Sequence, residues 1–132
     1  MSRLQCPPEE HIVRAIHRAH WDEQTGHKSS AIFKGQNLSV NRLAILGLPE
    51  LFPIFHYQLD TSPNGIIVGA GEINVGKLQE IGREYQTPVE LTVEKDPLRD
   101  NPAHAEIPQK ISSRGLAKAI INEMIFHREL PA

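Results

Sequence analysis

The residues best able to do chemistry in this sequence are histidines, basic side chains and small hydroxyls, and one stretch concentrates the first of these. Asp96 to Lys110, DPLRDNPAHAEIPQK, sets a histidine and an acid among turn formers. Pro97, Pro102 and Pro108 each push the preceding residue out of the helical region, which makes the path extended and turn-rich. Within it, Ala103-His104-Ala105-Glu106-Ile107 alternates like a short strand, so His104 and Glu106 point the same way. An imidazole moves protons near neutral pH, and arginine or lysine holds an anion. On those grounds Arg14, His17, Ser30 and His104 are candidate catalytic residues. Lys34, Ser39, Gly69, Gly71, Glu72, Glu106 and Lys110 are candidate binding residues. Each has a competing structural role: Ser30 can begin a strand, Ser39 can cap a helix, and His104 can pin the turn-rich segment to a sheet.

Other motifs are incomplete. Gly69-Ala70-Gly71 before a helix near Asn74 has the flavour of a phosphate-binding turn, but Asn74 stands where a dinucleotide fingerprint needs its third glycine. Gly76-Lys77 is followed by Leu78, not by the Ser or Thr of a phosphate loop. Tight-turn or bulge glycines are the simpler reading. His17 and His20 at i and i+3, joined by His11, His56 or His104, have the makings of a zinc set, yet no Cys pair or His-Glu motif accompanies them. Neither metal nor cofactor is expected. No Gly-x-Ser-x-Gly elbow is present, and Cys6 has no base signalled beside it.

Composition narrows the class. A chain of 132 residues suffices for one core without metals or disulfides, and its 39% hydrophobic and 23% charged content is that of a globular domain. The expectation is a single domain over residues 1–132, with residues 1–6 a flexible terminus. A net charge of -2 gives no strong DNA-binding signal, although a local basic face can hide in a balanced total. The lone cysteine and the absence of an apolar core in MSRLQCPPEE suggest the cytoplasm, and no apolar run approaches the ~18 residues of a membrane span.

Along the chain, Pro7-Pro8-Glu9-Glu10 suits the first turn of a helix running to about Trp21, with a strand through HIVRAIH as the competing reading. Ser29 to Lys34 alternates as a strand. Ser39 or Asn41 would cap a short helix carrying Leu43, Ile45 and Leu46, the alternative being a strand through Leu38-Ser39-Val40. Phe52 to Leu59 reads as a strand that pairs in a hairpin, across the turn Ser62-Pro63-Asn64-Gly65, with Ile66-Ile67-Val68. Asn74 caps a helix carrying Val75, Leu78 and Ile81. Val89, Leu91 and Val93 mark a half-buried strand. Ser112 or Ser113 caps a last helix in which Ala117, Ile120, Ile121 and Met124 recur at helical spacing. The class is α+β: one compact domain with a mixed, mostly antiparallel sheet backed by three to four helices.

The SSAIFKGQNLSV stretch, DPLRDNPAHAEI and the terminal Ile-Ser/Leu-Ala helix together resemble small bacterial proteins of uncharacterised function. A fainter similarity is to RES-type NAD-consuming toxins and other ADP-ribosyltransferase-like folds, with Arg14 and the Ser29-Ser30 segment at the matching positions; the tyrosine and later acidic position of that pattern are not matched. The leading functional expectation is a small cytosolic binding or regulatory module, an accessory protein in a bacterial system whose partner is another protein or a second copy. Its motivation is the balanced charge, the lack of a complete catalytic motif, and apolar segments such as LGLPELFPIF that are long for a small core to hide. The alternative is an enzyme acting on a nucleotide or RNA, with Arg14 or Lys110 holding phosphate and His104 or His17 moving protons. That version requires Arg14 and His104 to line one pocket with Gly69 and Gly71.

Overall fold

A computed structural model describes residues 3–61 and 65–129. Six strands form one sheet in the order β4-β5-β2-β1-β3-β6: β1 His11–His17, β2 Leu38–Arg42, β3 Ile67–Asn74, β4 Glu94–Lys95, β5 His104–Ile107 and β6 Ile125–Arg128. Every pairing is antiparallel. Three helices, α1 Leu48–Leu59, α2 Val75–Glu84 and α3 Arg114–Asn122, complete an α+β domain. No helix among the described residues is long and apolar enough to cross a membrane.

The helices cover both faces of the sheet. On one face Ile12, Ile16, Leu38, Val40, Ala105 and Ile107 meet α2 and α3; on the other Val13, Ile67 and Ala70 meet Leu51, Phe52 and Phe55 of α1. A strand buried on both sides loses its polar alternation. That is why HIVRAIH, expected to lie in a helix from Pro7 to Trp21, is instead β1, the central strand: Ile12, Val13 and Ile16 all face protein, at spacings that suit a helix equally well.

Other corrections share this origin. Phe52 to Leu59 is the body of α1, not a strand; its buried residues Leu51, Phe52 and Phe55 lie on one helical side, and Pro53 is accommodated inside the helix. There is accordingly no hairpin from that segment to Ile67-Val68. Residues 62–64 of the expected turn lie outside the described residues. Ser30–Phe33 is a 3-10 turn rather than a strand, its start capped by the Ser29 hydroxyl accepting from Ala31 N–H at 3.1 Å. The strand alternative for Leu38-Ser39-Val40 is the observed one, as β2. Leu91 and Val93 are buried as their alternation implies, but the pairing falls on Glu94–Lys95. β6 carried no expectation.

Polar caps set the remaining boundaries. The Asn74 side-chain oxygen accepts from Lys77 N–H at 2.9 Å to open α2, and Ser113 Oγ accepts from Leu116 N–H at 3.2 Å to open α3. Arg3 to Cys6, expected in a loose terminus, are anchored: Cys6 is buried with its N–H on Val93 O at 2.8 Å, and Arg3 meets Glu94, Asp96 and Glu106. The run LGLPELFPIF is largely absorbed by α1, since Leu51, Phe52 and Phe55 fill the second core.

Candidate functional site

The site arises where the central strand loses one neighbour. β1 pairs with β3 from His11 to His17, but with β2 only at Ile12↔Arg42 and Val13↔Asn41. Beyond Val13 the two strands part, and the Arg14 side chain occupies the parting. Its Nε donates to Ile32 O at 2.5 Å, and its Nη1 to Ser39 O at 2.7 Å. The 3-10 turn and the tight turn through Gly35 (φ 130°) and Asn37 (φ 55°) wall the opening. Glycine and asparagine are the residues that accept these backbone angles.

The resulting pocket has a volume of about 300 Å³ and is lined by Arg14, His17, His20, Gln36, Asn37 and Asn41, among others. That is the lower end of the range for small-molecule sites, which run from about 300 to 1,000 Å³. Ser39 is also in its wall. His17 closes one side. Because a carbonyl only accepts, the 2.8 Å contact between His17 Nδ1 and Gly65 O fixes the proton on Nδ1. In the neutral ring Nε2 therefore keeps its lone pair. The His20 ring stands nearly perpendicular to that of His17, with centroids 6.1 Å apart.

The electrostatics of the pocket are one-sided. Burial brings the Arg14 guanidinium down to about 10, and no carboxylate among the described residues offsets that cost. His20 is likewise pushed below its ordinary value, by burial first and then by the charges of His17 and Arg14. Asp60 has its carboxylate committed to Ile67 N–H at 2.9 Å and to His56 at 2.7 Å, and against the opposing effect of burial these bonds hold it below its ordinary value. A half-buried cation with no paired carboxylate attracts an anion.

Of the residues singled out in the sequence, Arg14, His17 and Ser39 meet in this pocket. Ser30 belongs to the adjoining 3-10 turn, next to the lining residue Ala31. Lys34 and Lys110 are exposed and flank the bridge between Gly35 and Ile111. Glu72 is taken by His11 Nδ1 at 2.8 Å and His127 Nε2 at 2.7 Å. Glu106 pairs with Arg3 at 3.0 Å. Gly69 and Gly71 lie inside β3, where an added Cβ would stand 2.5 Å from His127 O or 2.4 Å from Met124 Cε; they let neighbours approach and line no phosphate cradle.

His104 does not join Arg14. The pairs Val13↔Asn41 and Asn41↔His104 place these three residues in one cross-strand row, so Arg14, next to Val13, leaves the sheet on the opposite face. The His104 ring is fully engaged: Nδ1 lies 3.0 Å from Asp96 O and 3.2 Å from Asp96 Oδ2, and Nε2 lies 3.1 Å from Ser39 Oγ. His104, Gly69 and Gly71 are not among the residues that line the Arg14 pocket, although Ser39, which the His104 ring touches, is in its wall. The lining residues His20, Gln36, Asn37 and Asn41 were not proposed for it from sequence. For His20 the i, i+3 spacing from His17 is the available signal; Asn41 comes into view only through strand register.

No family model, curated protein or solved structure matches the chain.

Proposed function

We propose that this protein is a small binding module whose ligand carries a phosphate group, seated on Arg14 between His17 and His20. The observation that carries this reading is the Arg14 guanidinium, half-buried and bonded to two carbonyl oxygens, with no acid paired to it among the described residues. Arginine presents five donors in a planar fork, so those that do not serve Ile32 and Ser39 are suited to phosphate oxygens. His17 and His20 add donors when protonated, and Gln36 and Asn37 offer amide groups at the rim, while Asn41 is buried with its side-chain oxygen on Asn101. A nucleotide is the ligand class that combines such a phosphate with further hydrogen-bonding edges. A nicotinamide dinucleotide is the member to which the resemblance to ADP-ribosyltransferase-like proteins points. His17, with Nε2 free of its proton in the neutral ring, is the group placed to accept a proton if the module is also an enzyme.

Titration of isotope-labelled protein with inorganic phosphate, adenosine monophosphate and the dinucleotide tests this. Binding is expected to shift the imidazole signals of His17 and His20 and to vanish in Arg14→Gln. If no phosphate-bearing compound perturbs either ring at millimolar concentration, the reading fails.

A further inference from the structure

The Arg14 pocket is not isolated. It shares His20 with a second cleft, of about 360 Å³, lined also by Arg18, Asp22, His27 and Ser29. That cleft in turn shares His27 with a third, of about 430 Å³, lined by Lys28, Lys118, Met124 and Phe126 among others. The three run from the parting of β1 and β2, around the end of β1, to β6 and α3. Their walls carry Arg14, Arg18, Lys28, Lys118 and three histidines against one acid, Asp22.

That acid is engaged locally. Asp22 Oδ1 accepts from Gln24 N–H at 2.8 Å and Thr25 N–H at 3.2 Å, and those backbone bonds hold its carboxyl below the usual range. The same loop is braced by Asp22 N–H on His27 O at 2.9 Å and by the Trp21↔Lys28 bridge, and it turns at Gly26 (φ 75°). It therefore presents His27 and Lys28 in fixed positions. Lys28 Nζ stands 4.5 Å from the Phe126 ring centre and 5.2 Å from that of Trp21, so the far end of the path pairs cations with aromatic faces. Other acids gather at the β4–β5 edge, where Glu94, Asp96 and Glu106 surround Arg3, and on Arg42, where Glu10 sits; beside the path, Glu23 pairs with Arg128 and Glu123 stands exposed next to the lining residues Asn122 and Met124. The cleft walls are thus richer in cations than the whole chain, whose net charge is -2.

We infer that the three clefts form one path for a single-stranded nucleic acid, with a phosphate on Arg14 at one end and the Lys28–Phe126 cluster and Lys118 at the other. This rests on the phosphate reading of the Arg14 pocket and extends its ligand from a nucleotide to a strand of about four nucleotides. A chain of phosphates one nucleotide apart matches cations spaced along a groove.

The test is fluorescence anisotropy with labelled RNA and DNA of one to eight nucleotides, of identical sequence, on the whole protein. Affinity is expected to rise with length and level off near four nucleotides. For three phosphate contacts it should fall roughly 20-fold between 50 and 200 mM salt. Lys118→Glu and Lys28→Gln should each weaken the oligonucleotide about five- to tenfold and lower the salt slope by about 0.7, with monophosphate binding unchanged. Lys77→Glu, on α2 and off the path, should change neither. RNA binding more tightly than DNA, or the reverse, identifies the strand. Affinity independent of length, or no effect of Lys118→Glu, overturns the path and leaves the Arg14 pocket intact. Oligonucleotide binding undiminished in Arg14→Gln overturns the path, which places a phosphate on Arg14; a native chain that binds no monophosphate overturns the pocket reading itself. A glutamate-rich peptide of equal charge that binds as tightly overturns the assignment to nucleic acid.

Discussion

Arg14 Nη1 donates to the Ser39 carbonyl oxygen at 2.7 Å, across the gap where β1 and β2 no longer pair. In an unbroken ladder that carbonyl would meet a backbone N–H, a neutral donor that closes the sheet. A guanidinium does the same work and has donors to spare. Arg14→Met keeps the unbranched apolar stem and removes the charge. Phosphate affinity is expected to fall more than tenfold and the urea midpoint to fall modestly, because the carbonyls of Ile32 and Ser39 lose their donor. Paired phosphate titration and urea denaturation check both parts.

His104 yields a different pattern. With its nitrogens on Asp96 and Ser39, the ring ties β5 to β2 and to the turn before it. His104→Ala should cost about 1–3 kcal/mol in urea denaturation and leave phosphate binding intact at low temperature. Retained stability with lost binding would return His104 to the site.

Glu10 and Arg42 form a two-pronged pair, Nε to Oε1 at 2.9 Å and Nη2 to Oε2 at 2.7 Å, with side chains only 12% and 13% exposed. The hydrogen bonds from Arg42 hold the Glu10 carboxyl below its ordinary range, against an opposing effect of burial. A depressed folded value means stability that is complete above the unfolded value of about 4.3 and is lost as pH falls through the folded one. Glu10→Gln should therefore be less stable than the native chain by about 1–3 kcal/mol at neutral pH, with the difference shrinking below about pH 4. Melting curves of both proteins from pH 3 to 7 read this directly; a gap that stays constant across the range would show that the ionised pair is not its source.

The two β3 glycines differ in what their missing side chains make room for. At Gly69 a Cβ meets the His127 carbonyl oxygen at 2.5 Å and the Trp21 ring at 2.6 Å, whereas at Gly71 it meets the end of the Met124 side chain. Backbone and indole yield little, and a methionine re-orients readily. Gly69→Ala should lower the melting temperature clearly more than Gly71→Ala. Equal effects would mean that β6 shifts as easily as Met124.

What the sequence disclosed followed from how locally each signal was encoded. Asn74 and Ser113 sit one turn from the amides they cap, so α2 and α3 were legible, as was β5 between its prolines. β1 and α1 were misread for opposite reasons. Packing on both faces gave a strand helical spacing, and Pro53 with an aromatic run gave a helix the look of a strand. The pocket was half visible. Arg14, His17 and Ser39 stand out by type, but their meeting depends on where β2 parts from β1, which is a matter of register between distant segments. His104 drew notice through its neighbours in sequence, and its partner Ser39 lies 65 residues away.

The position of β6 has a consequence for the life of the chain in solution. Four residues, Ile125–Arg128, cover the outer side of Gly69–Glu72. If they lift away, β3 is left with open N–H and C=O groups along Gly69-Ala70-Gly71, three small residues with no charge and no proline and too little side chain to impede a visitor, before the charged Glu72. Such an edge recruits the next molecule before it melts. The last strand thus works as a stopper, and what it protects against is self-assembly of the sheet.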